Sequence, residues 1–498
     1  MTERPYDRLE ARFARLGALQ EAAALLQWDN ATLMPEGGAG ARAEQLATLK
    51  VVCHEIVTDP ALGDVLAAAE AESDLDPWQR ANLTEMRRRW AHAMAVPGAL
   101  VEALSKACSA CEMRWREARP QSDFKAVLPA LKRVLSLVQE IAGAKAERLA
   151  TSPYEALLDE YEPGGSTATI DPLFAELAGF LPRLVEGALE RQRQRPAPRV
   201  LPGPFPIEAQ RALGLTLMKR LGFDFAHGRL DQSLHPFCGG TPDDVRLTTR
   251  YEESDFSRAL MGVLHETGHA LYERGLPEKW RRQPVGDARG MSLHESQSLL
   301  VEMQACRSRE FVEFSAPLLR DVFHGSGPEW DADNLYRLNT RVERSLIRVD
   351  ADEVTYPAHV ILRYRLERAM IAGELPLEDL PGAWNDGMRA LIGVAPPDDR
   401  RGCLQDIHWY DGAWGYFPTY TLGAMTAAQL FDAAKRADPG ILPGIARGDF
   451  APLLAWLRAN VHSKGSRFST AEIITQATGR PLDARTYERH LETRYLAA

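Results

Sequence analysis

Cysteine is scarce. Six in 498 residues (Cys53, Cys108, Cys111, Cys238, Cys306 and Cys403) are too few to staple a chain of this size, which excludes a disulfide framework and agrees with a reducing compartment, the cytoplasm by default. Long apolar runs are missing too: none approaches the roughly 18 residues of a membrane helix, and the opening Met-Thr-Glu-Arg-Pro-Tyr-Asp-Arg is charged where a secretory leader is apolar. No membrane partner is expected. Nor is there an excess of positive charge. Fifty-nine Lys and Arg stand against 69 Asp and Glu, a net charge of −10, so no field is built to attract nucleic acid. Cys108 and Cys111 form a C-x-x-C, but it lies in a helical pattern with Leu104, Ala107 and Trp115, and no second pair is near to complete a metal site. Helix packing is the expected role of this pair.

What remains is an ordinary globular composition, 45% hydrophobic and 26% charged, with apolar residues mostly at three- and four-residue spacing. The series Leu9, Phe13, Leu16, Leu19 and the series Val127, Leu131, Val134, Leu135, Val138 are examples. The expected fold is mainly α. Residues 1–190 read as a helical N-terminal portion, interrupted by a turn-rich loop from Trp28 to Gly38. Residues 191–206 hold prolines at 196, 198, 202, 204 and 206 and read as an extended connector. Residues 207–498 read as a second helical body that opens with a helix over 207–221. Within it, Val245, Leu247, Thr249 and Tyr251 alternate, which predicts a small β element over 244–251.

The chemistry is concentrated in His265-Glu266-Thr267-Gly268-His269. At this chain's own frequencies such a pentapeptide arises by chance fewer than about 0.04 times. Ser254 or Asp255 can cap a helix through Leu260, Leu264 and Leu271, and Gly275 and Pro277 can end it. Residues four apart on a helix lie about 40° apart around the axis, so His265 and His269 can reach one metal ion. Zinc suits that donor set and cobalt is possible. Glu266, about 100° around from His265, can address a water without being a ligand, as a general base requires.

A catalytic metal of this type needs a third ligand and an open position. The H-E-x-x-H-x-x-G-x-x-H arrangement is excluded, because Tyr272 and Gly275 hold its Gly and last His positions. The E-x-x-x-D signal that would accompany Glu295 is also broken, since Leu299 stands in place of the Asp. Glu295, in a helical pattern that starts after Gly290, is the chosen third ligand. Its rival Glu302 faces the same side of a straight helix but about 10 Å further along it.

These residues resemble the carboxypeptidase Taq family of zinc metallocarboxypeptidases. The segments His235-Pro236-Phe237, Asp244 to Thr248 (D-x-R-x-T), His265 to His269, His294 to Gln297, Ile347 to Asp352 and Gly402 to Trp409 (G-x-x-Q-D-x-H-W) occur in order, and the Trp28 to Gly38 loop with Arg42 and Gln45 is similar as well. The resemblance implies a mostly α-helical fold with a deep cleft, metal-dependent release of C-terminal residues from peptides with broad specificity, and a homodimer. The N-terminal portion is then expected to wall or cover the cleft. An exopeptidase must also hold the substrate's terminal carboxylate, preferably with a guanidinium. The resemblance points to Arg348, whose competing role is an ion pair with Asp350 or Asp352; Arg401 is the second candidate, or part of a charged loop. By resemblance to related H-E-x-x-H peptidases, His408 and Tyr420 would stabilise the oxyanion. His235 and Arg246 are assigned to the substrate side, with bracing of the β element as the alternative for Arg246. Two other readings compete: an oligoendopeptidase with the same metal chemistry and no carboxylate clamp, and a helical binding protein with a vestigial metal motif.

Overall fold

A computed structural model describes residues 4–497, and its described residues form twenty α-helices and one three-stranded sheet. None of these helices is long and apolar enough to cross a membrane. The helix of the H-E-x-x-H motif runs Phe256–Gly275, capped by the Asp255 carboxylate, which accepts from Ser257 N–H. Ser254 plays no part in that cap. The helix predicted over 207–221 spans Ile207–Leu221 and ends at Gly222 with φ 93°.

Two local expectations need correction. Trp28 to Thr32 belong to the first helix, Pro5–Thr32, and the break narrows to Leu33–Pro35 before a single 3₁₀ turn. Trp28 is buried beneath the guanidinium groups of Arg229 and Arg246 (5.2 and 4.5 Å to its ring), so tertiary packing overrides the turn-forming composition. The β element is a sheet rather than one strand: β1 Gly228–Gln232, β2 Cys238–Thr241 and β3 Asp244–Thr249, in the order β1-β3-β2. β1 runs parallel to β3 with Gly228 opposite Val245, and β2 runs antiparallel with Thr241 opposite Asp244. The strand stops at Thr249, not Tyr251, and β1 and β2 carry too little apolar alternation to be read from sequence. Leu230, Val245 and Leu247 pack with Val263 and Ala270 of the motif helix, so the sheet braces that helix from behind.

The connector does not divide the apolar core. One continuous cluster extends from Cys111 to Tyr495 and includes Leu131, Phe174 and Leu184 from before residue 191. Phe205, inside the extended stretch, is buried against Phe256, Phe323 and Trp330. A separate small core joins Tyr6, Phe13, Leu66 and Met86 near the N-terminus. Cys111 is fully buried and Cys108 half-buried; both are free, and burial pushes their thiols up to about 12 and about 11. The C-x-x-C is packing, as its helical context indicates.

Polar contacts tie the N-terminal helices to this body. Asp159 accepts from Gly164 N–H at 2.7 Å, bonds His92 Nε2 at 2.7 Å and faces Arg88 at 3.4 Å. Burial would raise its pKa, but these partners outweigh burial and hold it near 2. A depressed carboxyl contributes stability above its unfolded pKa of about 3.9, and that contribution is lost as pH falls toward about 2. Asp159→Asn is therefore expected to cost about 2 kcal/mol at neutral pH. Thermal melts should show the deficit shrinking below about pH 4, and a deficit independent of pH would contradict the assignment.

Candidate metal centre and active site

The motif helix packs face to face with the helix Met291–Leu299, which carries Glu295. Their separation is set by Gly268, inside the pentapeptide: a Cβ there would stand 2.4 Å from the carbonyl oxygen of Gln297 and 2.6 Å from the Cα of Ser298. On the far side, a Cβ at Gly423 would lie 2.9 Å from the Cβ of Glu295. The Glu295 helix is thus held between two glycine contacts. Gly268→Ala should push the helices apart, with a loss of about 1–3 kcal/mol in stability and a fall in bound metal. A variant with wild-type melting and full metal content would show that the contact is not limiting.

This packing brings His265, His269 and Glu295 together, with their ligand atoms all within 4.8 Å of one another. Glu295 Oε2 is 3.8 Å from His265 Nε2 and 3.4 Å from His269 Nε2. A tetrahedral ion with bonds of about 2.1 Å sets its ligands about 3.4 Å apart, so the donors fit a divalent cation in spacing and type. Glu266, Glu295 and Glu302, all buried, lie with the two imidazoles, and Arg307 pairs with Glu302.

The other ring nitrogens are also occupied. His265 Nδ1 meets Glu302 Oε2 at 2.9 Å, and Glu302 Oε1 accepts from Arg307 at 2.9 Å. His269 Nδ1 meets His294 Nδ1 at 2.7 Å, and His294 Nε2 meets Glu273 at 2.7 Å. Each of the two candidate histidine ligands is therefore oriented by a carboxylate, directly or through a second imidazole. Glu302 sits behind His265 instead of competing with Glu295. Glu273, four residues after His269 on the same helix, went unnoticed in the sequence, although its spacing was a usable signal. Glu266 is buried beside the cluster; burial, reinforced by the charges of Glu295 and Glu302, pushes its carboxyl up to about 7.

Arg348 is buried, and its partner is neither Asp350 nor Asp352. Its Nε and Nη2 both donate to Asp406 Oδ1, at 3.0 and 2.8 Å, while Asp406 Oδ2 takes Arg363 Nε at 2.6 Å. Asp350 instead pairs with Arg258, and Asp352 accepts from backbone N–H groups of 343, 354 and 355. Two guanidinium groups share one carboxylate, which leaves a buried positive excess, and none of these bonds uses Nη1 of Arg348. Its guanidinium also lies 4.8 Å from the ring of Tyr420, whose hydroxyl is 3.1 Å from His408 Nε2. Burial lowers His408 to about 4, so its imidazole is neutral, and raises Tyr420 to about 12. The hydroxyls of Tyr356, Tyr416 and Tyr420 are all raised, mainly by burial and further by the charge of Glu295. Arg363 and Tyr356 carried no signal in the sequence, whereas Asp406 stands inside the G-x-x-Q-D-x-H-W segment.

The remaining candidates lie elsewhere. Arg401 is half-exposed in a surface turn, its guanidinium engaged by Asp398 at 2.6 Å. His235 is exposed between β1 and β2, where its carbonyl accepts from Ser233. Arg246 is held by Asp244 at 2.6 Å and stacks on Trp28, a bracing arrangement between sheet and first helix. A cavity of about 810 Å³ lies apart from the metal cluster, none of whose residues line it. It opens between the N-terminal helices, at Leu16, Lys50, Arg89 and His92, and the loop of Asp411, Gly412 and Trp414 that follows His408.

Comparison with known proteins agrees with this geometry. The sequence profile described as Carboxypeptidase Taq (M32) metallopeptidase matches residues 8–495. Thermostable carboxypeptidase 1 of Thermus thermophilus is 42% identical over 99% of this chain and 97% of its own. Among solved structures, metallocarboxypeptidase 1 of Trypanosoma cruzi superposes with a TM-score of 0.96 at 40% identity over 99% of both chains. The M32 carboxypeptidase of Deinococcus radiodurans gives 0.93 at 37% identity, again over 99% of both. The chain therefore belongs to the carboxypeptidase Taq family, and is a metallocarboxypeptidase that hydrolyses peptides with a divalent metal.

Proposed function

We propose that this protein is a zinc-dependent carboxypeptidase of broad specificity that removes C-terminal residues from peptides, with His265, His269 and Glu295 as metal ligands. What supports this reading is the buried Arg348–Asp406–Arg363 group, a fixed positive charge of the kind that can hold a peptide's terminal carboxylate. His265, His269 and Glu295 would hold the cation, which when bound would supply Lewis acidity to a water and to the substrate carbonyl. Glu266, buried and adjacent, takes the proton of the attacking water and later delivers it to the leaving amine. Nη1 of Arg348 anchors the terminal carboxylate and so sets which peptide bond faces Glu266. Tyr420, hydrogen-bonded to neutral His408, donates to the oxyanion as the carbonyl becomes tetrahedral. The N-terminal helices wall the large cavity and receive the upstream part of the peptide.

A homodimer in the cytoplasm, with peptides rather than nucleic acid or membranes as partners, completes the proposal; the family resemblance supports the dimer and the net charge of −10 the choice of partner. The deciding experiment compares a peptide with its C-terminally amidated twin. Stepwise release of C-terminal residues from the free acid, with the amide resistant, is expected. Equal cleavage of both at internal bonds would favour an oligoendopeptidase without a carboxylate clamp.

A further inference from the structure

The Glu295 helix does not continue as an α-helix. After Leu299 it turns into a π-helical segment, Leu300–Ala305, and Cys306 N–H bonds the carbonyl of Val301, five residues back, at 2.8 Å. Such segments gather at functional sites, and here the segment carries Glu302 to His265 Nδ1. Carbonyls at a helix end lack intrahelical donors. Two of them, on Met303 and Gln304, accept from Nη1 and Nη2 of Arg494, which lies in the C-terminal helix Ala484–Tyr495. Arg494 is buried and anchored by Glu353 Oε2 at 2.9 Å. Glu353, itself 3% exposed, also receives Gln304 Nε2 at 2.9 Å, His490 Nε2 at 2.8 Å and the Tyr495 hydroxyl at 3.0 Å. A polar hub centred on buried Glu353 thus joins the far end of the chain to the segment behind a metal ligand.

We propose that Arg494 and Glu353 are positioning residues for the metal centre: they fix the π-helical segment, and through it Glu302 fixes the tautomer and orientation of His265. This rests on His265, His269 and Glu295 being the ligands. The device differs from the bonds of Glu302 itself, because it assigns a role in metal binding to a helix that touches no ligand.

The test measures zinc affinity of the full-length protein by competition with a chromophoric chelator, in E302Q, R494M and the double variant. E302Q and R494M should each weaken zinc binding roughly 10- to 100-fold, the scale of losses when a ligand's hydrogen-bond partner is removed. In the E302Q background R494M should add little, since both act on one imidazole. Wild-type affinity in folded R494M, or losses that multiply in the double variant, would overturn the proposal. Should R494M not fold, R494K preserves the charge but cannot bridge two carbonyls and Glu353, and should show a smaller loss that likewise vanishes in E302Q. H265A serves as reference: full zinc retention there would overturn the ligand assignment and this proposal together, whereas zinc loss in H265A with none in the Arg494 variants overturns this proposal alone.

Discussion

Glu266→Gln is expected to lower kcat by about 10²- to 10⁴-fold while metal content and peptide affinity stay near those of the native protein. The amide matches the carboxylate in volume and is not a ligand, so the buried space around it is kept and the proton acceptor alone is removed. Its surroundings support the role. The carboxyl is buried beside the candidate ligands, and burial raises it above the ordinary carboxylate range. Metal analysis and steady-state kinetics on the same preparation decide the matter. Undiminished turnover in a metal-replete variant would falsify the assignment of Glu266, and a metal-free variant would mean that Glu266 shapes the ligand set instead.

Arg348→Ala is the second large effect. Losing a charge-assisted hydrogen bond to the substrate carboxylate costs about 1.5–3 kcal/mol, which corresponds to roughly a 10- to 150-fold rise in KM. Asp406 would still be paired with Arg363 at 2.6 Å, so the variant should fold and retain its metal. The sharper reading is comparative: native protein discriminates strongly between a free-acid peptide and its amide, and the variant should discriminate far less. Retained discrimination would move the carboxylate clamp elsewhere. Loss of metal would show that Arg348 holds the site together.

The sequence was most legible where a single helix carries the information. The motif helix could be bounded because its cap, its period and its terminating glycine are local, and the pair His265 and His269 follows from one turn of that helix. Glu295 could be chosen by excluding other ligand patterns. What escaped depends on how segments meet. The partner of Arg348 is 58 residues away in Asp406, while its near neighbours Asp350 and Asp352 are occupied elsewhere, so proximity in sequence misled. Glu302 was misjudged for a different reason. As a rival for the metal it stands outside the ligand group, and its place against His265 Nδ1 depends on a π-helical segment that has no local signature in Leu300 to Ala305. Arg401 shows the converse: a promising neighbour of a motif is drawn to the surface by Asp398, three residues before it. β1 and β2 were missed because neither presents enough apolar alternation to stand out.

The glycine contacts on either side of the Glu295 helix bear on which ions the centre can accept. Gly268 sets backbone against backbone on one flank, and Gly423 meets the stem of Glu295 on the other. The helix cannot drift outward to suit a larger ion, so a change in ionic radius must be absorbed by rotation of one carboxylate and two imidazoles already tethered from behind. Under the proposed ligand set, substitution at Gly268 or Gly423 is therefore expected to alter which divalent ions bind, although neither residue is a ligand.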